Sequence, residues 1–390
     1  MKITDIECHV LLVPDVNKDA TSSAQDEIVV LVHTDEGITG IGETDVSPWI
    51  ARACIEAPST HTMGLGLKDM LIGEDPLGDP VALWEKLYTG SAMNGRRGAL
   101  ICAIGALDMA LWDIRGKAAG KPCWQLFGER AKEVIVPYAS LQPNGSTFDE
   151  YRDSIVEWAL RAKEIGFTAA KLEVTLSGPY RHCGLLEPDE KITETVAACR
   201  AAVGPDFTIL VDVQYLWSDA DTALRTLRDW KDLDIYFIET PLQMDDLDGY
   251  ARLHEESPVP VAAGEWQTTR FEFADLMDRG KVDVAQPDVG RVGGPTEALR
   301  VCDMAAERGR TIVPHCWKTG IGIAATANLA AVTGHCAFVE YLPPELCDSL
   351  LRKELADDGL EFSDGVLQLP TKPGLGIELD HGALERFRAD

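Results

Sequence analysis

The chain has 390 residues, of which 45% are hydrophobic and 26% are charged. This is an ordinary globular composition, which excludes a mainly disordered, collagen-like or coiled-coil protein. The length suits two or three domains, although an α/β barrel alone takes about 200–250 residues. The formal net charge of −28 opposes binding to phosphate backbones and anionic lipid, so we expect no nucleic-acid or membrane partner.

The cysteines and the apolar stretches indicate the cellular compartment of the protein. Ten cysteines are scattered along the chain without a pair at CxxC spacing, which argues against a zinc ribbon or a thioredoxin-type site and for reduced thiols. The first residues lack the apolar core of a signal peptide. The longest apolar stretch, residues 98–112, is short and contains Asp108, so it cannot span a bilayer. We therefore expect a cytoplasmic protein.

Residues 1–127 alternate strand and helix patterns without a repeat. Apolar residues at three- and four-residue spacing predict a helix over residues 99–118. Alternating and β-branched runs predict strands over residues 3–12, 28–33 and 38–43. We predict a small α+β domain over residues 1–127.

Residues 128–345 show a regular alternation of short β-rich runs and amphipathic helical patterns. The runs begin 23 to 39 residues apart, enough for one strand, one helix and two loops. They cover residues 134–139, 169–174, 208–213, 235–239, 259–263, 282–286, 311–314 and 337–341. We predict a TIM-type (β/α)7–8 barrel, with a doubly wound open sheet as the alternative. The loop-rich segment 346–390 is expected to return to the first domain.

Three successive predicted strands are each followed or ended by a carboxylate, at Asp212, Glu239 and Glu265. The carboxyl ends of parallel strands meet at one rim of a barrel, so these groups should face each other. Clustered carboxylates repel unless a cation lies among them, and hard oxygen ligands suit Mg²⁺. Any one of them could be a solvated loop residue, but three at one register predict a Mg²⁺ site.

The sixth and seventh predicted strands are followed or ended by Asp288 and His315, which adjacent strands would bring together. A carboxylate that accepts one imidazole N–H raises the basicity of the other nitrogen, which makes a general base. We interpret the other seven histidines as structural. Lys171 and Glu173 alternate on the second strand and so share one face, interpreted as inward. Glu340 ends the eighth strand, either as a site residue or as the ion-pair partner of a neighbouring Lys or Arg.

This series of residues, on a barrel preceded by an α+β domain, resembles the mandelate racemase subgroup of the enolase superfamily. The resemblance covers essentially the whole chain, including residues 94–113, a helical segment typical of the capping-domain junction. It implies a Mg²⁺ ion held by Asp212, Glu239 and Glu265, and abstraction of the proton α to a carboxylate. It also implies a small carboxylate-bearing substrate, and we expect a homo-oligomer.

One position departs from this subgroup. Its racemases resemble each other in a Lys-x-Lys on the second strand, whose second lysine is a base opposite the histidine. Here the stretch is Lys171-Leu172-Glu173. A carboxylate beside Lys171 is expected to stay ionised and to be a weak base. Glu173 could instead be a protonated acid, a hydroxyl-binding group or an ion-pair partner of Lys171.

With one strong base, we predict dehydration of an acid sugar, an aldonate or aldarate, to a 2-keto-3-deoxy acid. His315 would remove the C2 proton, and Glu340, if protonated, or Lys171 would donate to the substrate carboxylate. The loops 15–25 and 44–49 are expected to close over the site. Residues that could contact the substrate are Gln214, Tyr215, Trp317, Lys318, Asn17 and Trp49, with Thr21 and Ser22 of the first loop.

Two other functions stay open. A racemase or epimerase using Glu173 as the second base, or a lactone cycloisomerase, would use the same ligands. A non-catalytic protein that binds acid sugars is the alternative from a different class, although the complete set of metal and base residues argues against it.

Overall fold

The structure is a computed structural model that describes residues 1–18 and 24–389. Thr21 and Ser22 lie outside the described residues. The first part of the chain, called the capping region below, forms a three-stranded antiparallel sheet and a set of helices. Its elements are β1 (Ile3–Leu12), β2 (Asp26–Thr34), β3 (Thr39–Glu43), α1 (Pro48–Glu56), α2 (Leu67–Leu71), α3 (Pro80–Ser91), α4 (Ala99–Ala119) and α5 (Trp124–Phe127).

The long helix α4 packs directly on the capping sheet, and residues 100–116 of it are buried. Two glycines on β3 permit this approach. A Cβ atom on Gly42 would lie 2.0 Å from the Ala106 carbonyl oxygen, and one on Gly40 would lie 2.0 Å from that of Ala110. Only glycine therefore fits at either position without moving the helix away from the sheet.

Eight parallel strands in the described part of the chain form a curled sheet, with helices between them. The strands are β5 (Pro137–Leu141), β6 (Ala169–Glu173), β7 (Thr208–Asp212), β8 (Ile235–Glu239), β9 (Val261–Ala263), β10 (Val284–Ala285), β11 (Thr311–Ile312) and β12 (Val339–Tyr341). The intervening helices are α6 (Phe148–Ile165), α7 (Asp189–Val203), α8 (Ala220–Leu227), α9 (Leu247–Glu256), α10 (Thr269–Asp278), α11 (Pro295–Glu307) and α12 (Gly320–Val332).

Hydrogen bonds between the last two strand segments close the sheet. Ile312 N donates to the carbonyl of His335, and Ala337 N donates to the carbonyl of Ile312. The pairing of β12 with β5 completes the circle. The predicted barrel is confirmed, and the open doubly wound sheet is wrong because both edges are paired.

The first barrel strand differs from its prediction over residues 134–139. Val134–Ile135 is a separate strand, β4, which pairs antiparallel with the tail strand β15 (Val366–Gln368). The barrel strand itself begins at Pro137. The other tail elements are α13 (Leu350–Glu354), β13 (Ala356–Asp357), β14 (Phe362–Ser363), β16 (Glu378–Leu379) and α14 (His381–Arg386). The end of the tail reaches β1, where Ala389 N donates to the carbonyl of Val10.

Side-chain alternation along the strands decides what the barrel interior contains. An apolar layer fills it with Tyr138, Ala169, Leu210, Phe237, Ala262, Val284 and Val313. Because successive side chains point to opposite faces, residues two further on share the inward face, nearer the carboxyl ends of the strands. This places Lys171 and Glu173 inside β6, and Asp212 and Glu239 at the ends of β7 and β8. The polar rim thus results from the same two-residue alternation that places the apolar layer inside the barrel.

The described residues contain no helix long and apolar enough to cross a membrane. All ten cysteines are described, and all are free thiols, as predicted.

Candidate active site

A cavity of about 1270 Å³ lies at the carboxyl ends of the barrel strands. The capping region contributes Lys18, Asp26, Asp45, Val46 and Ser47 to its lining. The predicted site residues that line it are Lys171, Glu173, Asp212, Gln214, Tyr215, Glu265, His315, Trp317 and Lys318.

Two predicted substrate contacts do not line this cavity. Trp49 lies on α1 with 43% of its surface exposed. Asn17 is held in its own loop, where its backbone N–H donates to Gln25 Oε1. The capping loops do reach the cavity, but through Lys18 and residues 45–47.

The three predicted metal ligands are buried at one rim. Asp212 and Glu239 are register partners on β7 and β8, and Glu265 follows β9 by two residues. Burial raises the pKa of Asp212 to about 6, and the neighbouring Glu265 adds to the shift. Burial also raises the pKa of Glu239 to about 7, with Asp212 and Glu340 acting in the same direction. Burial and the neighbouring carboxylates therefore both oppose the ionisation of Asp212 and Glu239.

Two of these carboxylates, Asp212 and Glu239, accept hydrogen bonds from protein donors. Thr240 Oγ1 and the backbone N–H of Gln214 both donate to Asp212 Oδ1, each at 2.8 Å. Glu239 accepts from Lys171 Nζ at 2.9 Å and from Gln286 Nε2 at 2.7 Å. These hydrogen bonds fix the orientation of the Asp212 and Glu239 carboxyl groups.

The donor set fits Mg²⁺ in its chemistry, since three buried carboxylates from neighbouring strands supply hard oxygen ligands and negative charge. As the side chains stand, no three His, Cys, Asp or Glu groups among residues 1–18 and 24–389 are arranged to hold a metal ion. One reason is that Glu265 Oε2 lies 3.1 Å from His315 Nε2 and points toward the imidazole.

The predicted contact between Asp288 and His315 is present. His315 Nδ1 lies 2.7 Å from Asp288 Oδ2, and both side chains are buried. The other oxygen of Asp288 accepts the backbone N–H groups of Gly290 and Arg291. Asp288 is therefore fully held, and the imidazole donates its Nδ1–H to it, which leaves Nε2 as the atom that can exchange a proton.

The ionisation of His315 responds to the surrounding charges. Burial and Arg291 lower its pKa, but the carboxylates of Glu340, Asp288 and Glu265 outweigh them and raise it to about 9. A divalent cation that neutralised Glu265 would remove part of this effect. The imidazole would then be closer to its neutral, proton-accepting form.

Lys171 and Glu340 form a buried ion pair beneath the rim. Lys171 Nζ lies 2.9 Å from both Glu239 Oε1 and Glu340 Oε1. Glu340 also accepts from Ser140 Oγ and from the backbone N–H of Cys316. Although burial opposes its charge, Lys171 and His315 lower the pKa of Glu340. Glu340 is thus an ionised acceptor, and Lys171 is the better of the two predicted donors.

Glu173 differs from its sequence-based expectation. Lys171 pairs with Glu239 and Glu340, and no ion pair joins Lys171 to Glu173 among the described residues. Glu173 Oε2 instead accepts from the amides of Gln142 at 2.9 Å and Gln214 at 3.1 Å. Burial and the nearby Asp212 raise the pKa of Glu173 well above its ordinary value. Lys171 opposes this rise in pKa, but burial outweighs it.

Sequence reasoning missed Arg291, which lines the cavity and joins its two halves. Its guanidinium pairs with Asp45 of the capping region and lies 3.6 Å from Glu265 Oε2. The strand-end rule that selects Asp288 would have found Arg291 three residues later.

The backbone is strained where the rim begins. Gln214 and Tyr215 have φ of 47° and 57°, and Thr240 has φ of 46°. Non-glycine residues in this left-handed region cost about 1–3 kcal/mol each and cluster at functional sites. Gln214 and Tyr215 lie two and three residues after Asp212, and Thr240 directly follows Glu239. These residues therefore set the direction in which the backbone leaves the rim.

A closed parallel barrel with carboxylates at its rim and an α+β cap is the architecture of the enolase superfamily. Residues 7–128 match the mandelate racemase / muconate lactonizing enzyme N-terminal domain, and residues 154–383 match the enolase C-terminal domain-like family. The chain belongs to the mandelate racemase / muconate lactonizing enzyme family of this superfamily.

Curated relatives align over almost their full length. D-galactarolactone cycloisomerase of Agrobacterium fabrum is 31% identical, covering 100% of this chain and 99% of that protein. Arabinonate dehydratase of Saccharolobus solfataricus is 30% identical, covering 99% of each.

Solved structures agree in fold. The 3,6-anhydro-D-galactonate cycloisomerase from Zobellia galactanivorans is 29% identical with a TM-score of 0.85, covering 100% of both chains. A racemase from Streptomyces coelicolor A3(2) with bound magnesium is 24% identical with a TM-score of 0.82, covering 99% of this chain and 100% of that one, which shows the shared fold.

Proposed function

We propose that this chain is a Mg²⁺-dependent enzyme that removes the proton α to the carboxylate of an acid sugar and expels water, giving a 2-keto-3-deoxy acid. The observation that carries the proposal is His315, held by Asp288 at 2.7 Å, with Nε2 directed at the buried carboxylate rim. The relationship to an arabinonate dehydratase at 30% identity supports the same chemistry.

In this mechanism Asp212, Glu239 and Glu265 would hold the Mg²⁺ ion, which when bound supplies positive charge to the substrate carboxylate. His315 Nε2 accepts the C2 proton, while Asp288 stabilises the imidazolium through Nδ1. Lys171, charged between Glu239 and Glu340, is the cation placed to donate to a carboxylate oxygen where negative charge develops.

The elimination completes with groups already named. The electron pair released at C2 forms the C2–C3 double bond as the C3–oxygen bond breaks. The imidazolium of His315 returns its proton to the departing hydroxyl, which leaves as water. The enol product tautomerises to the α-keto acid. One histidine thus serves as base and then as acid when both groups lie on its face of the substrate.

The cations of the cavity favour an anionic, polyhydroxylated substrate, an aldonate or aldarate. Arg291 and Lys318 line the cavity but pair with capping carboxylates, Asp45 and Asp26 among them. Arg181 also lines it, and no described residue forms an ion pair with its guanidinium. A cytoplasmic location and a homo-oligomer are further parts of this proposal.

A second candidate is a lactone cycloisomerase or an epimerase. It is favoured by the 31% identity to D-galactarolactone cycloisomerase and by the raised pKa of Glu173, which gives the cavity a second group able to hold a proton. A non-catalytic acid-sugar-binding protein would bind the same compounds without converting them.

A library of aldonates, aldarates and their lactones, incubated with Mg²⁺, separates these functions. Semicarbazide detects α-keto acids, which only dehydration produces, and His315→Asn serves as the inactive control. Conversion of a lactone without α-keto acid would favour the cycloisomerase, and binding of a sugar without any conversion would favour the non-catalytic protein.

A further inference from the structure

A chain of hydrogen bonds runs behind Glu173 into the protein. The Tyr151 hydroxyl lies 3.0 Å from His182 Nδ1, and His182 Nε2 lies 2.8 Å from Gln214 Oε1. Gln214 Nε2 then lies 3.1 Å from Glu173 Oε2. Tyr151, His182 and Glu173 are each at most 3% exposed, and Gln214 is half-buried at the cavity wall. None of the reaction steps above uses His182.

The hydrogen bonds from Tyr151 to Glu173 all run in the same donor-to-acceptor direction. Oε2 of Glu173 accepts two amide groups, those of Gln142 and Gln214, so the amide nitrogen of Gln214 must face the carboxyl group. Its oxygen therefore faces His182, whose Nε2 must carry the hydrogen. Nδ1 is then an acceptor for the Tyr151 hydroxyl. Burial lowers the pKa of His182 to about 4, which agrees with a neutral ring with one N–H.

Backbone contacts fix the positions of both His182 and Gln214. His182 lies in the connection between β6 and α7, where several neighbours, including Arg181, are exposed but His182 is 1% exposed. Its backbone N–H donates to the carbonyl of Thr175. Gln214 is fixed independently, because its strained backbone (φ 47°) places its N–H on Asp212 Oδ1. Both ends of the contact are thus set before a substrate arrives.

The result is a carboxyl group with one oxygen held and one oxygen free. Both amides converge on Oε2, and no described residue forms a hydrogen bond with Oε1. Glu173 lines the cavity. Its strand, β6, is three strands from β11 in one direction around the barrel and five in the other, so Glu173 and His315 lie on different sides of the cavity.

We propose that Glu173 Oε1 contacts the reacting end of the substrate on the side away from His315, and that His182 is the positioning residue that holds it there through Gln214. This inference rests on the proposed function, since it gives Glu173 a role in that reaction. It predicts that His182 affects turnover although it touches neither substrate nor metal ligand.

The test compares three variants with the wild-type enzyme. His182→Phe keeps a ring but removes both hydrogen bonds, and we expect turnover to fall about 10- to 100-fold, as for other residues that orient a site group. His182→Gln can place an amide N–H near the position of Nε2, so it should recover most of the rate. The double variant with Glu173→Gln should be no slower than Glu173→Gln alone, because both changes act on one group.

Melting temperatures separate positioning from a structural role. Additive rate losses in the double variant, or a His182→Phe enzyme with full turnover and only a lowered Tm, would overturn the inference. If the Phe variant does not fold, the measurement on the free wild-type protein that follows decides the inference.

A measurement without substrate tests the chain itself. ¹⁵N NMR of the free protein at neutral pH should show His182 protonated at Nε2 and bare at Nδ1, and Gln214→Leu should disturb this signal. A charged ring or the Nδ1–H tautomer would overturn the inference. A wild-type chain that converts no acid sugar while keeping this spectrum would instead count against the proposed function.

Discussion

Asp288 Oδ2 lies 2.7 Å from His315 Nδ1, while the other oxygen of Asp288 accepts two backbone N–H groups. This arrangement leaves the aspartate no freedom to rotate. An amide in its place would keep its oxygen on the two backbone donors and turn its NH₂ toward the imidazole. The histidine would then have to accept at Nδ1 and carry its proton at Nε2, where the substrate proton should go.

We therefore predict that Asp288→Asn is worse than Asp288→Ala. The alanine variant loses support for the imidazolium but does not impose the wrong tautomer. Asp288→Asn should lower kcat by at least about 100-fold, and His315→Asn should abolish both turnover and exchange at C2. Steady-state kinetics on the three variants check this, and an alanine variant slower than the asparagine variant would contradict the geometry.

Glu239→Gln should weaken Mg²⁺ binding strongly while the fold is kept. It removes one negative ligand from a three-carboxylate site, and Lys171 keeps its second partner, Glu340, at 2.9 Å. Calorimetric titration with Mg²⁺ measures the loss. Glu157→Gln, an exposed change on α6, is the matched control and should bind like wild type. Unchanged activity of Glu239→Gln at limiting Mg²⁺ would rule out the ligand set.

How far the sequence could predict this site is visible at β6. The two-residue period along a strand correctly places Lys171 and Glu173 on one inward face beside Asp212 and Glu239. It cannot decide which partners they take, because the donors that hold Glu173, Gln142 and Gln214, come from other strands and depend on side-chain packing. Proximity in sequence suggested a pair with Lys171, but two carboxylates across the barrel attract that lysine instead.

The fold was more predictable than the site because it depends on patterns repeated along the chain. Helix α4, predicted over residues 99–118, spans Ala99–Ala119 and ends at Gly120 in the left-handed conformation. The break between β4 and the first barrel strand was missed, since Val134–Ile135 pairs with a tail strand more than 200 residues later. No local signal encodes such a partner.

Asp108 should make stability depend on pH. It is buried in α4, where it accepts both the backbone N–H and the hydroxyl of Thr296, and burial raises its pKa to about 7. The folded state therefore binds a proton that the unfolded chain, with an ordinary carboxyl pKa, releases between about pH 4 and 7. The contribution of Asp108 to stability falls as pH rises through this window, by at most about 1.4 kcal/mol per pH unit, and is constant above it.

Urea unfolding of Asp108→Asn at several pH values tests this linkage. The variant should lose up to about 1 kcal/mol for one weakened hydrogen bond at low pH, and this deficit should shrink or reverse toward pH 8. The exposed Asp206→Asn serves as the control with a constant difference. A deficit for Asp108→Asn that is the same at every pH from 5 to 8 would be incompatible with the raised pKa.

Arg181→Gln should raise KM several-fold with little effect on kcat. The side chain lines the cavity, is exposed, and has no ion-pair partner among the described residues, so it is available to the substrate rather than to the fold. Arg181 belongs to the connection between β6 and α7 and not to the strand-end rim, so we expect it to bind ground state and transition state alike, which appears in KM. Kinetics on an aldarate and an aldonate of equal length measure this. A lowered kcat at constant KM would place Arg181 in the reaction instead.

The most direct test of the central claim is ¹H NMR of the wild-type enzyme with Mg²⁺ and its best acid sugar in D₂O. The proposed one-histidine elimination predicts loss of the C2 hydrogen together with the C3 hydroxyl, and a 2-keto-3-deoxy acid labelled with deuterium at C3. His315→Asn should show neither change. Deuterium incorporated at C2 of a recovered sugar or its epimer, with no keto acid formed, would contradict the dehydratase and assign the site to epimerisation.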